Sequence, residues 1–194
     1  MENKKNLLFN YEQSLARQLA GRIIDKPAPD IWMIFIPILF VFHIWKVRQY
    51  SHAVNAFVEN HLTSRRRALE IAFEALQNGN PPTIDLLVEK AGDIPSSAKP
   101  LYRKWLSLLV DHYTGLLVAS GESHQELKRD CYRDKDSYLQ FCHALNESEK
   151  AFNAALLPVI EGDQQDIHCI LDRINENIAA LRFREVEEIF GSAD

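Results

Sequence analysis

Glycine is scarce in this chain, 7 residues in 194, and no long run alternates apolar with polar side chains. Both absences speak against sheet, while abundant Leu, Ala, Glu, Lys and Arg favour helix throughout. Cysteine is rare as well. Cys131, Cys142 and Cys169 are odd in number and follow no framework spacing, so at least one thiol stays outside any disulfide within the chain. That fits a reducing compartment. An excess of positive charge is also missing: 22 Lys and Arg face 27 Asp and Glu, for a formal net charge of −5. Binding to phosphate backbones needs a concentrated positive field, so nucleic acid is not an expected partner.

The motifs of standard enzyme classes are absent too. No Glu is followed by His three residues later, as a ferritin-like di-iron site requires, and HExxH, the P-loop, the dinucleotide glycine motif and G-x-S-x-G do not occur. No reaction, cofactor or metal is indicated. The nearest approach to a ligand set is Cys142-His143 with His168-Cys169. Neighbouring residues on a helix diverge by about 100°, so one helix cannot easily aim both at one ion.

What the chain does have is one uncharged apolar run, IWMIFIPILFVFHIW, from Ile31 to Trp45. Its anchoring residues are Ile31, Trp32, Phe35, Pro37, Phe40, Phe42 and Trp45, with bulky aromatics spread through the run and Tyr50 just beyond it. A stretch that is apolar all round, with Trp and Tyr near its ends, reads as a membrane segment. As a straight helix it rises about 22 Å, short of a hydrocarbon core of about 30 Å. Pro37 suggests a kink or turn inside it. A tilted single span is therefore the first expectation, a re-entrant or in-plane helix the second, and a buried core or oligomer helix the third. His43, two residues from Trp45, is expected to stay neutral or reach the interface. The polar start of the chain, with no small-residue cleavage site after the apolar run, does not read as a signal peptide.

Around this segment three regions are expected: an N-terminal amphipathic helix in 1–30, the membrane segment in 31–50 and a cytoplasmic helical bundle in 51–194. In the first, Leu7, Leu8, Tyr11, Leu15, Leu19 and Ile23 recur at helical spacing, and the helix can lie on a membrane surface or on the bundle. Lys26-Pro27-Ala28-Pro29-Asp30 then breaks it.

In the third region a stripe from Val54 to Leu76 ends at Asn78-Gly79, and Thr83 is placed to cap a short helix up to Ala91. Leu101 to Ala119, the most apolar stretch of the bundle, is expected at its centre. Ser123 and Glu126 form a capping box that opens a long helix with Cys131, Tyr138, Leu145, Phe152 and Val159 spaced by sevens. Gly162-Asp163 breaks it before a last helix from Ile167 to Ile189. The fold class is thus all-α, an antiparallel bundle of about four long helices behind the anchor.

Arg65 to Trp105 resembles the helix-turn-helix of TetR-type regulators in its Ala91-Gly92 turn followed by a Tyr-containing helix. The segment departs from that pattern in the loop Asp93 to Ser97, which carries Pro95, and in lacking a basic excess. Arg65-Arg66-Arg67 is placed to meet anionic lipid headgroups if its helix leaves the membrane at a low angle. Asp111 and His112 interrupt the central apolar helix and form the candidate ligand-binding pair. The expected partners are a lipid bilayer and either a protein or a second copy of the chain. The expected role is a membrane-anchored scaffold or accessory subunit, the alternative a membrane-associated ligand-binding bundle or enzyme using Asp111 and His112.

Overall fold

In the computed structural model residues 1–24, 37–91, 94–159 and 164–191 are described, with the backbone alone over 37–49. The described residues are helical and contain no strand. The helices are α1 (Glu2–Ile23), α2 (Pro37–Asn78), α3 (Ile84–Lys90), α4 (Lys99–Val118), α5 (His124–Tyr132), α6 (Lys135–Leu156) and α7 (Gln164–Phe190), with a 3-10 turn over Leu157–Val159.

Local chemistry sets most of these limits. The described part of α2 begins at Pro37. Gly79, at φ 64°, follows the last residue of α2. The Ser123 hydroxyl accepts a hydrogen bond from the Glu126 N–H and the Glu126 carboxylate accepts one from the Ser123 N–H, so the expected capping box opens α5. Thr83 does precede α3, but its side chain makes no capping bond.

The single long helix expected after Ser123 is two helices. Arg133 ends α5 at φ 67°, and Asp134 then caps α6 by accepting from the Ser137 N–H. A local side-chain acceptor outweighs the continuing seven-residue spacing at this point.

Five helices exceed two turns by a wide margin, and they are not all antiparallel. α1 runs against α2, and α6 runs against both α4 and α7. α2 and α4, however, point the same way: Ser64 meets Tyr102 at one end, while Lys5 lies over Phe73 and Lys4 reaches the Leu117 and Ala119 carbonyls at the other. The short α3 between them makes the return, which is why the sequence pattern of long helices alone implied a simpler topology.

α4 is central as expected, with Tyr102, Trp105, Leu106, Leu109, Val110, Tyr113, Leu116 and Leu117 all buried. α1 lies on the bundle. Leu8 joins the main core, Ala16 and Ala20 pack with Val58 and Leu62, and Leu19 packs with Ile178 and Leu181.

Among the described residues no helix is long and apolar enough to cross a membrane, so the spanning helix expected from Ile31 to Trp45 has no support there. Ile31, Trp32 and Phe35 lie outside the described residues. Pro37, Phe40, Phe42 and Trp45 fall on the first turns of α2, where the polar residues from Lys46 onward dilute any longer apolar window.

Candidate functional site

The apolar stripes of the helices carry charges in their own register. On α2 the buried positions Val58, Leu62, Leu69 and Ala72 are spaced by three, four and seven, and Arg65 stands between Leu62 and Leu69 on the same face. Glu12 occupies such a place on α1, Glu149 on α6, and Arg182 and Glu185 on α7, all buried. Folding brings them to one level of the bundle.

Arg65 donates to Glu149 Oε1 at 3.0 Å and lies 3.3 Å from Glu12 Oε2. Arg182 donates to Glu149 Oε2 at 2.8 Å and also bonds Asn146. Tyr113 donates to Glu12 Oε1 at 2.8 Å. A second arm joins Lys128 to Glu185, whose other oxygen accepts from Tyr138 at 2.7 Å. Lys128, only 2% exposed, also sits 3.9 Å over the Tyr11 ring.

Each cation therefore has an anion: Arg65, Arg182 and Lys128 face Glu12, Glu149 and Glu185. The small cleft they line, together with Leu15, Leu109 and Leu145, measures about 30 Å³. That is room for about two water molecules and for no metabolite. Glu12 Oε2 makes no hydrogen bond in spite of its closeness to Arg65. The arrangement can hold six helices in one register, but it offers no free charge to a substrate.

The charge states follow from the geometry. Burial raises the Glu149 carboxyl, but the guanidiniums of Arg65 and Arg182 outweigh it and hold the group at about 2. Burial likewise raises Glu185, and Lys128 brings it below the usual carboxylate range. Burial, with Arg65 next to it, drives His61 down to about 3. His112 is lowered by burial first and then by Lys128, Arg182 and Arg65.

The candidate pair Asp111 and His112 is separated by the helix that carries it. Asp111 is exposed, whereas His112 turns inward, shares a hydrogen bond with the Tyr132 hydroxyl at 2.6 Å and stacks on Phe141. His112 does border the ionic cleft. Cys142 is buried at the cleft while His143 beside it is exposed, and His168 and Cys169 are both exposed, so the two Cys-His pairs do not converge. Arg65 is buried, which removes it from any headgroup-binding role; Arg66 pairs with Glu59 at 3.7 Å and covers Phe9.

No family model, curated protein or solved structure matches this chain. Its function is therefore argued from the site and the sequence.

His112, buried, and His61, half-buried with its Nε2 shielded, give a pH dependence with a definite sign. Their folded pKa lies below that of the unfolded chain, so the unfolded state takes up protons that the fold refuses as pH falls through about 6.5. Stability is fully present above that value and declines below it, by up to about 1.4 kcal/mol per pH unit for each histidine. Below the normal carboxylate range Glu149 adds to the loss in the same direction. Urea midpoints at neutral and mildly acid pH should therefore differ, and His61→Phe should flatten the profile. A midpoint independent of pH across this window contradicts the two neutral histidines.

Proposed function

We propose that this chain is a membrane-anchored helical scaffold: the apolar segment from Ile31 to Trp45 holds it on a bilayer, and the bundle docks a protein partner or a second copy at the cytoplasmic face. The observation that carries the reading is the continuity of α2. One helix runs from Pro37, inside the apolar segment, to Asn78, and it bears Arg65 at the ionic centre.

From Pro37 to Val54, which packs on the Ala16–Leu62 cluster, an uninterrupted helix extends about 25 Å. A lever of that kind transmits position from an anchor to a bundle. The bundle's buried charges are matched to each other around a cleft too small for a ligand, which supports a structural role over a chemical one. The free thiols Cys131, Cys142 and Cys169 support a reducing compartment for the bundle.

Washing native membranes with high salt tests the anchor. Apolar insertion is insensitive to ionic screening, so the chain is expected to stay in the pellet. Quantitative release by salt would show peripheral binding instead.

A further inference from the structure

We propose that the face formed by α6 and α7 is a two-fold interface with a second copy of this chain. The proposal rests on the scaffold reading above and names the partner that such a scaffold docks.

Between α6 and α7 lies an open groove of about 490 Å³, whose floor reaches Glu149 and Arg182 of the ionic centre. Ala179 and Ala180 line it, so it is shallow-walled where α7 passes. Phe183, one turn further along α7, stands beside it with 55% of its surface exposed. Phe183 is thus an exposed aromatic on the wall of a mostly polar groove that has a gap at Ala179 and Ala180, a knob beside a hole on one surface. Such a surface is complementary to itself, which is the requirement of an isologous two-fold contact, in which each patch meets its own copy.

The charges at the groove point the same way. Lys150 on α6, Glu147 on α6 and Glu176 on α7 line it, are exposed, and take no ion-pair partner among the described residues. This contrasts with the ionic centre, where every charge is matched, and with Lys135 and Arg184, which pair with Glu187 and Glu188. Both signs therefore stand unpaired on one face. A two-fold copy supplies an anion to Lys150 and a cation to Glu147 or Glu176, whereas a partner of one charge sign leaves one of them unmatched. In the dimer Phe183 of each copy fills the groove of the other, as a buried aromatic anchor surrounded by polar contacts.

Sedimentation equilibrium of the full chain in density-matched detergent tests this, with a melting curve for each variant. The parent is expected to dimerise with a dissociation constant of micromolar order or tighter. Phe183→Asp, at an exposed position, should leave the melting temperature unchanged and weaken the dimer about a hundredfold or more. Lys150→Glu should weaken it about tenfold, and adding Glu176→Lys should restore the lost affinity, because an exchanged pair still matches across the axis. A parent that stays monomeric at the highest soluble concentration overturns the proposal. So does a dimer of unchanged affinity in Phe183→Asp, which would place the interface on another face. Neither result bears on the salt-wash test, so loss of the dimer and loss of the anchor are read separately.

Discussion

Glu149→Leu is expected to destabilise the bundle by about 3–5 kcal/mol, because one substitution takes a carboxylate from two buried cations, leaving Arg65 with Glu12 and Arg182 with the neutral Asn146. Arg65 and Arg182 each donate to a separate oxygen of Glu149, at 3.0 and 2.8 Å, and the Arg65 and Arg182 side chains are 3% and 5% exposed. Neither can turn out to water without breaking the packing of α2 or α7. For a chain of this size the loss corresponds to a fall in melting temperature of about 10 °C.

Arg65→Met should cost a similar amount for the opposite reason, since it leaves Glu12 with Tyr113 as its polar contact and Glu149 with Arg182 as its one cation. The double variant Arg65→Met/Glu149→Leu should cost less than the sum of the two, by about 0.5–3 kcal/mol, because it removes a cation and an anion together. The exposed pair Arg66–Glu59, with side chains 44% and 62% exposed, is the control, and breaking it should change stability by no more than about 1 kcal/mol. Chemical denaturation of the three variants and the control decides the matter. A Glu149→Leu protein within about 1 kcal/mol of the parent would mean that water reaches the ionic centre.

That centre was legible in the sequence only in fragments. The spacing of apolar residues located each long helix, and the capping box at Ser123 and Glu126 located the start of α5, because periodicity and caps are local properties. The break at Arg133-Asp134 was hidden by a spacing of sevens that runs from Cys131 across it. The return made by α3 was hidden because a seven-residue helix carries too little pattern to reveal the direction of its neighbours.

The ionic centre joins Glu12, Arg65, Glu149 and Arg182, residues far apart in the chain, and no local spacing connects them. A signal did exist. Arg65 keeps the register of Leu62 and Leu69, Glu149 that of Leu145 and Phe152, and a charge in the apolar register of a helix is either buried and paired or misplaced. In a run of three arginines, a headgroup contact, a solvated face and an ion-pair site are equally compatible with the sequence. His112 was correctly singled out as a polar residue in the central helix, but the helical turn from Asp111 to His112 sends the two side chains to different environments.

On the scaffold proposal α2 has two duties, an anchor at its start and a structural cation in its middle, and these respond to different substitutions. Changes at Arg65 act on folding. Changes in the apolar segment should act on membrane binding and leave the fold alone, since Phe40 and Phe42 lie on the first two turns of α2, far along the helix from Arg65. Two aspartates in the hydrocarbon region cost about 5–7 kcal/mol together, which is about four orders of magnitude in partition.

Flotation on liposomes tests the central claim most directly, comparing the parent with Phe40→Asp/Phe42→Asp. The parent is expected to rise with the vesicles, and the variant to remain at the bottom of the gradient with an unchanged melting temperature. A parent that does not float, or a variant that floats as well as the parent, would contradict the anchor and with it the reading of this chain as a membrane scaffold.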